Sequence, residues 1–511
     1  MNGAESLVHT LLGAGVDTCF ANPGTSEMHF VAALDRIPGM RCVLALFEGV
    51  ASGAADGYAR MAGKPAATLL HCGPGLANAL ANLHNARRAN VPMVNCVGDQ
   101  ATYHRPLDAP LTADAEGWAR GASAWVRTAR HAREVGRDAA VAVQVARTAP
   151  GQIATLILPS DTCWEAGGEV APALPVPAAP AVDALAIEQA RRLLRGGERV
   201  LLLLGGPALA AAALADAHRI AAATGARLLA PGSNARVARG RGRYPIERIP
   251  YPVDAAVAAL AGVRHLILVG AREPATFFAY PGKPGRPAPA DASVHVLARP
   301  EQDAAAALAA LAEALDAPAV SPPVSPPPEP ARGAIGPEAF AHSLAALLPE
   351  QAVVVDESIT FGRSFFPLTH AAAPHDWLQL CGGAIGEGLP LATGAAIGAP
   401  GRRVVSLQAD GSALYTVQAL WTQARERLDV TTVLFDNRRY AILQHELAAV
   451  GANPGRTALD MLDLGNPDID WLRIAEGFGV AAARATTMEQ FNDLFAQSCL
   501  RPGPFLIALA T

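Results

Sequence analysis

The sequence predicts an α/β protein built from three tandem, doubly wound parallel-sheet domains. Short apolar runs alternate with helical patterns along the whole chain, which is the rhythm of βαβ units. The 511 residues also exceed the size of one ordinary domain. Hydrophobic residues make up 51% of the chain and charged residues 17%, so large cores are possible and global disorder is excluded.

The expected domains are residues 1–165, 183–315 and 335–511. Residues 316–334 are expected to form a semi-rigid surface linker, because the segment Ser321 to Pro328 contains too many prolines for a helix or a strand.

The expected strands are the apolar runs of each domain. In the first domain they are Thr18–Ala21, Val43–Phe47, Ala66–Leu70, Met93–Val97 and Ile153–Leu158. In the second they are Val200–Leu204, Arg227–Leu229, His265–Val269 and Val294–Leu297, and in the last Val353–Asp356, Val404–Leu407, Thr431–Phe435 and Phe505–Ala508.

Charge and cysteine usage exclude several classes of protein. The net charge is −5 and the basic residues are scattered, so neither a nucleic acid nor a membrane is expected as a partner. The seven cysteines lack CxxC spacing, so no zinc site or disulfide framework is expected, and a reducing cytoplasm is the expected location. The N-terminal residues have no basic region, so no signal peptide is expected. The longest apolar run, Val200 to Ala215, is interrupted by Gly205-Gly206-Pro207 and does not predict a membrane span.

A strand–loop–helix–strand unit in the last domain carries the clearest candidate site. Asp410 and Gly411 follow one expected strand, a helix is expected from Leu414 to Arg427, and Asn437 follows the next strand. Ligands bind at the carboxyl ends of strands in open α/β sheets, and Mg²⁺ prefers a few protein oxygens completed by phosphates and water. We therefore predict that Asp410, Asn437 and the backbone carbonyl of Arg439 bind Mg²⁺. A simple Asp-Gly turn is the alternative.

The spacing of Asp410 and Asn437 resembles the thiamine diphosphate motif, in which a GDG segment precedes an NN pair. Ala409 replaces the first Gly of that motif and Asp436 the first Asn. In the first domain, Asn22–Glu27, Phe47–Val50 and Ala55–Arg60 resemble the pyrimidine-binding domain of thiamine diphosphate enzymes that act on 2-oxo acids.

The resemblance covers essentially the whole chain. The last domain resembles the diphosphate-binding domain of these enzymes, and the middle one resembles their third domain, which carries FAD in some members and nothing in others. Gly73-Pro74-Gly75 is similar to a segment of acetolactate synthases, whereas Leu70-His71 and Ser412–Trp421 resemble benzoylformate decarboxylase. No single subfamily accounts for the sequence.

The resemblance implies a catalytic role for Glu48. In this family a Glu at that position bonds N1′ of the cofactor's aminopyrimidine, and the resulting imino nitrogen removes the thiazolium C2 proton. Such work needs a desolvated carboxylate, which burial among Leu46, Phe47 and Val50 would supply. A solvent-facing Glu at the end of a strand is the alternative.

Further cofactor contacts are implied on four loops. Gly24 belongs to the first-domain motif, and Gly411 and Ser412 would offer backbone N–H groups to the diphosphate. Gly383 permits close approach of the backbone to a ligand, and Ile385 falls where the family places a bulky side chain beneath the thiazolium. Ser358 and Thr360 carry hydroxyls that could reach the phosphates. A plain helix cap is the alternative for both residues. Glu387, in the same loop as Ile385, has no assigned role.

Substrate chemistry is implied by His71, which matches a proton-transfer histidine of benzoylformate decarboxylase, and by Thr25, which stands where that enzyme has a serine. The second histidine of that enzyme would fall near Gly270 to Phe278, where this chain has phenylalanines. The chain therefore lacks a histidine that could protonate the decarboxylated intermediate and release it as an aldehyde. Capture of that intermediate by a second carbonyl compound becomes more plausible. By analogy, Leu443, Gln444 and Gln100 would line the substrate pocket.

The sequence therefore predicts a thiamine diphosphate- and Mg²⁺-dependent enzyme of the acetolactate synthase kind, which decarboxylates a pyruvate-like 2-oxo acid and ligates the product to a second carbonyl compound. The family places its sites between subunits, which implies a homodimer or homotetramer. The alternatives are a benzoylformate-type decarboxylase and a catalytically silent paralogue that binds the cofactor. A nicotinamide oxidoreductase is poorly supported, because no GxGxxG follows the first strand.

Overall fold

The computed structural model describes residues 1–511, and the first third forms a six-stranded parallel sheet. Its strands are β1 (Thr18–Asn22), β2 (Arg41–Leu44), β3 (Ala66–Leu70), β4 (Met93–Asp99), β5 (Trp125–Thr128) and β6 (Ile153–Pro159), in the order β2-β1-β3-β4-β6-β5. The helices are α1 (Gly3–Gly13), α2 (Met28–Arg36), α3 (Glu48–Ala62), α4 (Cys72–Arg88), α5 (Ala115–Arg120), α6 (Ala132–Arg147) and α7 (Ser160–Trp164).

Helices cover both faces of this sheet. Helices α1, α2 and α6 bury Leu7, Phe30 and Val135 against one face. Helices α3 and α4 bury Val50 and Leu76 against the other. Both faces of a parallel sheet need such cover, which explains why its strands read as nearly continuous apolar runs.

The middle third contains a five-stranded parallel sheet. Its elements are α8 (Ala184–Arg195), β7 (Val200–Leu204), α9 (Ala211–Thr224), β8 (Arg227–Ala230), β9 (Val237–Arg239), β10 (Glu247–Arg248), α10 (Val253–Leu260), β11 (His265–Val269), β12 (Ser293–Ala298) and α11 (Ala304–Ala314). The strand order is β10-β8-β7-β11-β12, and β9 lies outside this sheet. Residues 317–332, which follow, contain no helix or strand.

The last third forms a seven-stranded sheet that recruits β9. Its helices are α12 (Pro337–Leu347), α13 (Phe365–Leu368), α14 (Gly388–Gly398), α15 (Asp410–Ala413), α16 (Ala419–Arg425), α17 (Ala441–Ala449), α18 (Arg456–Asp460), α19 (Trp471–Gly477) and α20 (Met488–Leu500). Its own strands are β13 (Val353–Glu357), β14 (His375–Gln379), β15 (Val404–Ala409), β16 (Val430–Asp436), β17 (Ala481–Ala485) and β18 (Phe505–Ala510), and the order is β17-β18-β16-β15-β13-β14-β9. Three sheets in tandem, parallel except for β9, confirm the predicted fold class.

Strand β9 joins the middle third to the last sheet. It is the one antiparallel strand of that sheet and pairs with β14, Val237 opposite Trp377. Its last residue, Arg239, is buried with its guanidinium 3.7 Å from the centre of the Phe366 ring. Burial lowers the pKa of Arg239 to about 9. The sequence analysis did not predict this strand, because three residues without an apolar run give no periodic signal.

Two predicted elements have different boundaries. The expected helix from Leu414 to Arg427 is wrong, because α15 already begins at Asp410 and the chain turns before α16 begins at Ala419. The hydroxyl of Thr416 donates to the carbonyl of Gly386 at 2.7 Å, and this tertiary contact overrides the helical pattern. Strand β2 ends at Leu44 rather than Phe47, and the carbonyl of Ala45 accepts a hydrogen bond from the Asn22 side chain instead.

Helices α3 and α14 pack closely and connect the first sheet to the last. A Cβ on Gly57 would lie 2.0 Å from the Leu391 carbonyl oxygen, and one on Gly394 would lie 1.7 Å from the Ala54 carbonyl oxygen. Glycine is therefore required on both helices for this separation. No helix combines the length and the apolar character that crossing a bilayer requires.

Candidate active site

A cavity opens at the carboxyl ends of β13, β15 and β16. It is lined by residues 358–361, Ile385, residues 409–412, Phe435, Asn437 and residues 439–442. Strands β15 and β16 are neighbours in register, with Ala409 opposite Phe435, so the residues that follow them meet at one edge of the sheet. Eight predicted site residues line this cavity: Ser358, Thr360, Ile385, Asp410, Gly411, Ser412, Asn437 and Arg439.

The oxygens of Asp410 and Asn437 are fixed by backbone N–H groups. Asp410 is buried and accepts from the N–H groups of Gly411 at 2.8 Å and Arg438 at 2.6 Å. Burial raises the pKa of Asp410 to about 6. The side-chain oxygen of Asn437 accepts from the N–H of Arg439 at 3.0 Å. One carboxylate and one amide, beside the hydroxyls of the cavity, are the oxygen donors that suit a Mg²⁺ ion bound together with phosphates.

The two departures from the thiamine diphosphate motif leave these oxygens in place. Ala409 has an extended backbone (φ −77°, ψ 147°), which any residue adopts, so no glycine is required there. The carboxylate of Asp436 pairs with Arg484 at 3.1 Å. Neither substitution replaces Asp410 or Asn437 as an oxygen donor.

The loop before α14 contributes Ile385 to the cavity lining, and the conformation of this loop is set by its backbone. Gly383 and Gly386 have φ values of +84° and +94°, in the region that favours glycine. The buried carboxylate of Glu357 accepts from the N–H groups of Gly386 at 2.8 Å and Gly388 at 2.9 Å. Burial raises the pKa of Glu357, although these hydrogen bonds oppose the rise.

Helix α4 of the first third also holds this loop. The amide of Asn85 donates to the carbonyl of Ala384 at 2.8 Å, and its oxygen accepts from the N–H of Ala384 at 3.1 Å. The sequence analysis assigned no role to Asn85, because an Asn inside a helix carries no signal of a distant backbone contact.

Glu387 lies at a fully buried contact between the three parts of the chain. One of its oxygens lies 3.0 Å from the guanidinium of Arg60, which also binds Asp56 and donates to the carbonyls of Gln379 and Ala235. Burial raises the pKa of Glu387 well above its usual range; Arg60 opposes this rise and Asp56 adds to it. The residue therefore serves the joint between the domains rather than the cavity.

A second polar cluster follows β1 and β3, which are adjacent strands. The Nδ1 atom of His71 lies 3.0 Å from a carboxylate oxygen of Glu27, and that oxygen also accepts from the N–H of Gly24 at 2.7 Å. The His71 ring packs on Gly24, where a Cβ would lie 2.2 Å from the ring. Thr25 is exposed and makes no side-chain hydrogen bond here. Sequence reasoning missed Glu27, although it lies in the quoted motif Asn22–Glu27.

Glu48 is the first residue of α3 and is 6% exposed. Its carboxylate accepts from the Asn78 amide at 2.9 Å, and a Cβ on Gly75 would lie 2.7 Å from it. Val50 is buried as expected, but Leu46 is 43% exposed. Burial by α4 instead supplies the desolvated setting.

Eight predicted site residues do not line the cavity: Gly24, Thr25, Glu48, His71, Gln100, Gly383, Leu443 and Gln444. Leu443 and Gln444 lie on α17, whose start contributes Ala441 and Ile442 instead. The Gln100 amide donates to the Pro110 carbonyl at 2.7 Å. The cavity contains no residue of the first third, so Glu48 and His71 lie outside it within a single chain.

An aromatic ring from the middle third lies against the loop before α14. A Cβ on Gly383 would lie 2.5 Å from the tip of the Phe277 ring. Phe277 contacts Phe278 and Tyr251, with ring centres 4.9 and 5.4 Å apart. Both phenylalanines remain more than half exposed in the single chain.

The structure has the features of a cofactor-binding α/β enzyme. The last sheet carries an oxygen-lined cavity at its carboxyl edge, and a helix beside another sheet carries a buried Glu. Residues 1–119 match the family described as thiamine pyrophosphate enzyme, N-terminal TPP binding domain. Residues 362–509 match the corresponding C-terminal TPP binding domain. Thiamine pyrophosphate is another name for thiamine diphosphate.

Curated relatives agree with these matches. A Mycobacterium tuberculosis protein named "Putative acetolactate synthase large subunit IlvX" is 53% identical over 99% of this chain and 98% of its own. Benzoylformate decarboxylase of Pseudomonas aeruginosa is 30% identical over 97% of this chain and 96% of its own. The chain therefore belongs to the thiamine diphosphate-dependent 2-oxo acid decarboxylases and carboligases, which confirms the predicted family.

Solved structures agree in fold. The 4-hydroxybenzoylformate decarboxylase of Rhodococcus jostii RHA1 has a TM-score of 0.87 at 24% identity and covers 100% of this chain and 99% of its own. Benzoylformate decarboxylase of Polynucleobacter necessarius has a TM-score of 0.84 at 23% identity, with the same coverage. The three-sheet architecture is thus shared along the whole chain.

Proposed function

We propose that this enzyme decarboxylates a pyruvate-like 2-oxo acid and ligates the product to a second carbonyl compound, with thiamine diphosphate and Mg²⁺ as cofactors. The observation that carries the ligation step is the position of Phe277 against Gly383. A phenyl ring has no proton to give to the decarboxylated donor, so release of the free aldehyde is disfavoured if this ring faces the substrate, and a second carbonyl compound has time to react.

The cavity in the last sheet would hold the diphosphate end of the cofactor. Asp410, Asn437 and the Arg439 carbonyl would bind Mg²⁺, and Thr360 would offer a hydroxyl to the phosphates. The Ser358 hydroxyl donates to Asp356 at 2.5 Å and would have to leave that partner to reach a phosphate. When bound, the thiazolium supplies the electron sink that lets a 2-oxo acid lose CO₂. The protein's part is to fix the oxygens, to place Ile385 at the ring, and to exclude water.

Glu48 would come from a second subunit. The cavity is lined only by residues 358–442, which supports a site completed by another copy of the chain. The buried carboxylate of Glu48 would then hold the proton at N1′ of the aminopyrimidine. A homodimer is the smallest assembly that provides this arrangement, and a homotetramer provides it twice.

The test is a panel of 2-oxo acids, assayed with and without thiamine diphosphate and Mg²⁺, with each product identified. We expect CO₂ release from pyruvate that depends on both cofactors, and an α-hydroxy ketone product such as acetolactate. Free aldehyde as the only product would contradict ligation. Absence of CO₂ release from every acid would contradict catalysis itself.

Phe277→His tests the ligation step directly, because it introduces a proton donor against the loop that carries Ile385. We expect the ratio of aldehyde to ligated product to rise. Phe278→His is the matched control, since the Phe278 ring meets Phe277 edge-to-face and Phe277 is the one that lies against Gly383. An unchanged product ratio in Phe277→His would refute the role of the phenyl ring.

A benzoylformate-type decarboxylase is the second candidate. The contact between His71 and Glu27 favours it, because a carboxylate-held imidazole is a competent proton-transfer group. Turnover of benzoylformate with release of benzaldehyde, and no turnover of pyruvate, would select this alternative.

A further inference from the structure

Three side chains with metal-binding chemistry, together with one hydroxyl, converge at the carboxyl ends of two adjacent strands of the first sheet. Ser26 and Glu27 follow β1, and His71 and Cys72 follow the adjacent β3. Ligand atoms of Glu27, His71 and Cys72, here called the soft-ligand cluster, all lie within 4.8 Å of one another. The Ser26 hydroxyl lies among them, 3.3 Å from Nδ1 of His71 and 3.1 Å from the sulfur of Cys72, and it donates to Glu27.

The cluster is held rigidly by its surroundings. Glu27 is 3% exposed and Cys72 is 2% exposed. A Cβ on Gly98 would lie 1.6 Å from a Glu27 oxygen, and one on Gly24 would meet the His71 ring, so two glycines pack directly against the ligands. Such support fixes ligand orientation before any ion arrives.

The backbone of Cys72 has an unusual conformation. Cys72 has a φ of +53°, in the left-handed region that side chains other than glycine rarely adopt. Strained backbone of this kind persists where the surrounding structure enforces it, and it is concentrated at ligand sites. Cys72, the strained residue, is also the one whose sulfur contacts the Ser26 hydroxyl.

The ligand types select the class of ion. One thiol, one imidazole and one carboxylate supply sulfur, nitrogen and oxygen, the three kinds of ligand atom that Zn²⁺ binds in proteins. Mg²⁺ prefers oxygen donors alone and would remain at Asp410 and Asn437. The two sites therefore differ in chemistry as well as in position.

We propose that the soft-ligand cluster binds a thiophilic divalent cation of the Zn²⁺ class. Zn²⁺ forms bonds to the Cys72 sulfur, Nδ1 of His71 and a Glu27 oxygen; the thiol proton passes to solvent, and the Ser26 hydroxyl rotates away. Binding itself does not depend on the proposed function. The consequence of binding depends on the proposed function: the ion removes His71 from proton transfer, so the enzyme is reversibly inhibited.

The experiment measures Zn²⁺ affinity by competition with a chromophoric chelator, on the full chain saturated with thiamine diphosphate and excess Mg²⁺. We expect one Zn²⁺ per chain in the wild type, and an affinity at least about tenfold weaker in Cys72→Ser, which lacks one of three protein ligands. Cys42→Ser, which removes an exposed thiol elsewhere, is expected to bind as the wild type does. In the wild type, Co²⁺ should show a thiolate charge-transfer absorption.

A second variant keeps the test decisive if Cys72→Ser does not fold. Glu27→Gln retains the thiol and the imidazole, and is expected to weaken Zn²⁺ binding as well. Equal Zn²⁺ affinity in the wild type and both variants, or no binding in the wild type, would overturn the site.

Zn²⁺ inhibition is measured separately, with each variant normalised to its own rate without Zn²⁺. We expect inhibition of the wild type and weaker inhibition of Cys72→Ser. Zn²⁺ bound at the cluster without inhibition would overturn the inhibitory role. Failure to turn over any 2-oxo acid would count against the proposed function and leave the binding result to decide the site.

Discussion

Glu387→Gln tests whether the buried joint at Arg60 holds a protonated acid. In the structure one Glu387 oxygen contacts Arg60 at 3.0 Å, and the other is buried without a hydrogen-bond partner. A proton on that second oxygen can be donated to Asp56, which leaves one net negative charge facing one guanidinium. The Gln amide reproduces this arrangement, with an oxygen for Arg60 and an N–H donor for Asp56.

The sign of the pH effect follows from the raised pKa. A carboxyl whose pKa rises on folding contributes stability below its ordinary value of 4.5 and loses it as the pH rises toward the folded pKa. Within that window the wild type should lose about 1.4 kcal/mol of unfolding free energy per pH unit relative to Glu387→Gln. This equals about 1 °C of Tm per pH unit if the whole chain unfolds together, and about 4 °C if one domain of about 170 residues unfolds first.

Scanning calorimetry from about pH 5 to about pH 8, at constant ionic strength, measures the difference. We expect the Tm of Glu387→Gln to rise relative to the wild type as the pH increases. Glu350→Gln, at an exposed residue, is the control and should run parallel to the wild type. A parallel line for Glu387→Gln, or a Tm that falls relative to the wild type, would refute the protonated joint.

Two further substitutions test the site and the packing. Glu27→Gln should slow steps that need His71 by at least about tenfold while leaving thiamine diphosphate affinity unchanged, measured as kcat and Kd; equal kcat would exclude Glu27 as a positioning residue. Gly57→Ala places a methyl 2.0 Å from the Leu391 carbonyl oxygen and should cost about 1–3 kcal/mol, seen as a lower Tm. Gly13→Ala is the control and should not destabilise the protein, because no atom lies within 4 Å of the added methyl. Equal Tm values for Gly57→Ala and Gly13→Ala would contradict the packing argument.

Much of the fold and of the cavity could be predicted because local patterns specify them. Buried parallel strands are continuous apolar runs, and residues placed just after them meet at one sheet edge. That reasoning brought Asp410 and Asn437 together correctly. It failed at the break between α15 and α16, because the hydrogen bond from Thr416 to Gly386 spans 30 residues and leaves no periodic trace.

The contacts between domains could not be predicted from the sequence either, because they also join residues that are far apart in the chain. Glu387 had no assigned role, since its partner Arg60 lies 327 residues away. Strand β9 is too short for a pattern, and only its pairing with β14 defines it. Glu27 stood inside a quoted motif, and a rule that searches for carboxylates able to orient a proposed catalytic histidine would have found it.

The most direct test of the central claim is hydrogen–deuterium exchange at C2 of bound thiamine diphosphate, in the wild type and in Glu48→Gln. A desolvated Glu48 that controls the aminopyrimidine predicts rapid exchange in the wild type and exchange at least about hundredfold slower in the variant, with cofactor binding retained. Equal exchange rates in the two proteins would contradict the assignment of Glu48 and of the site built around it.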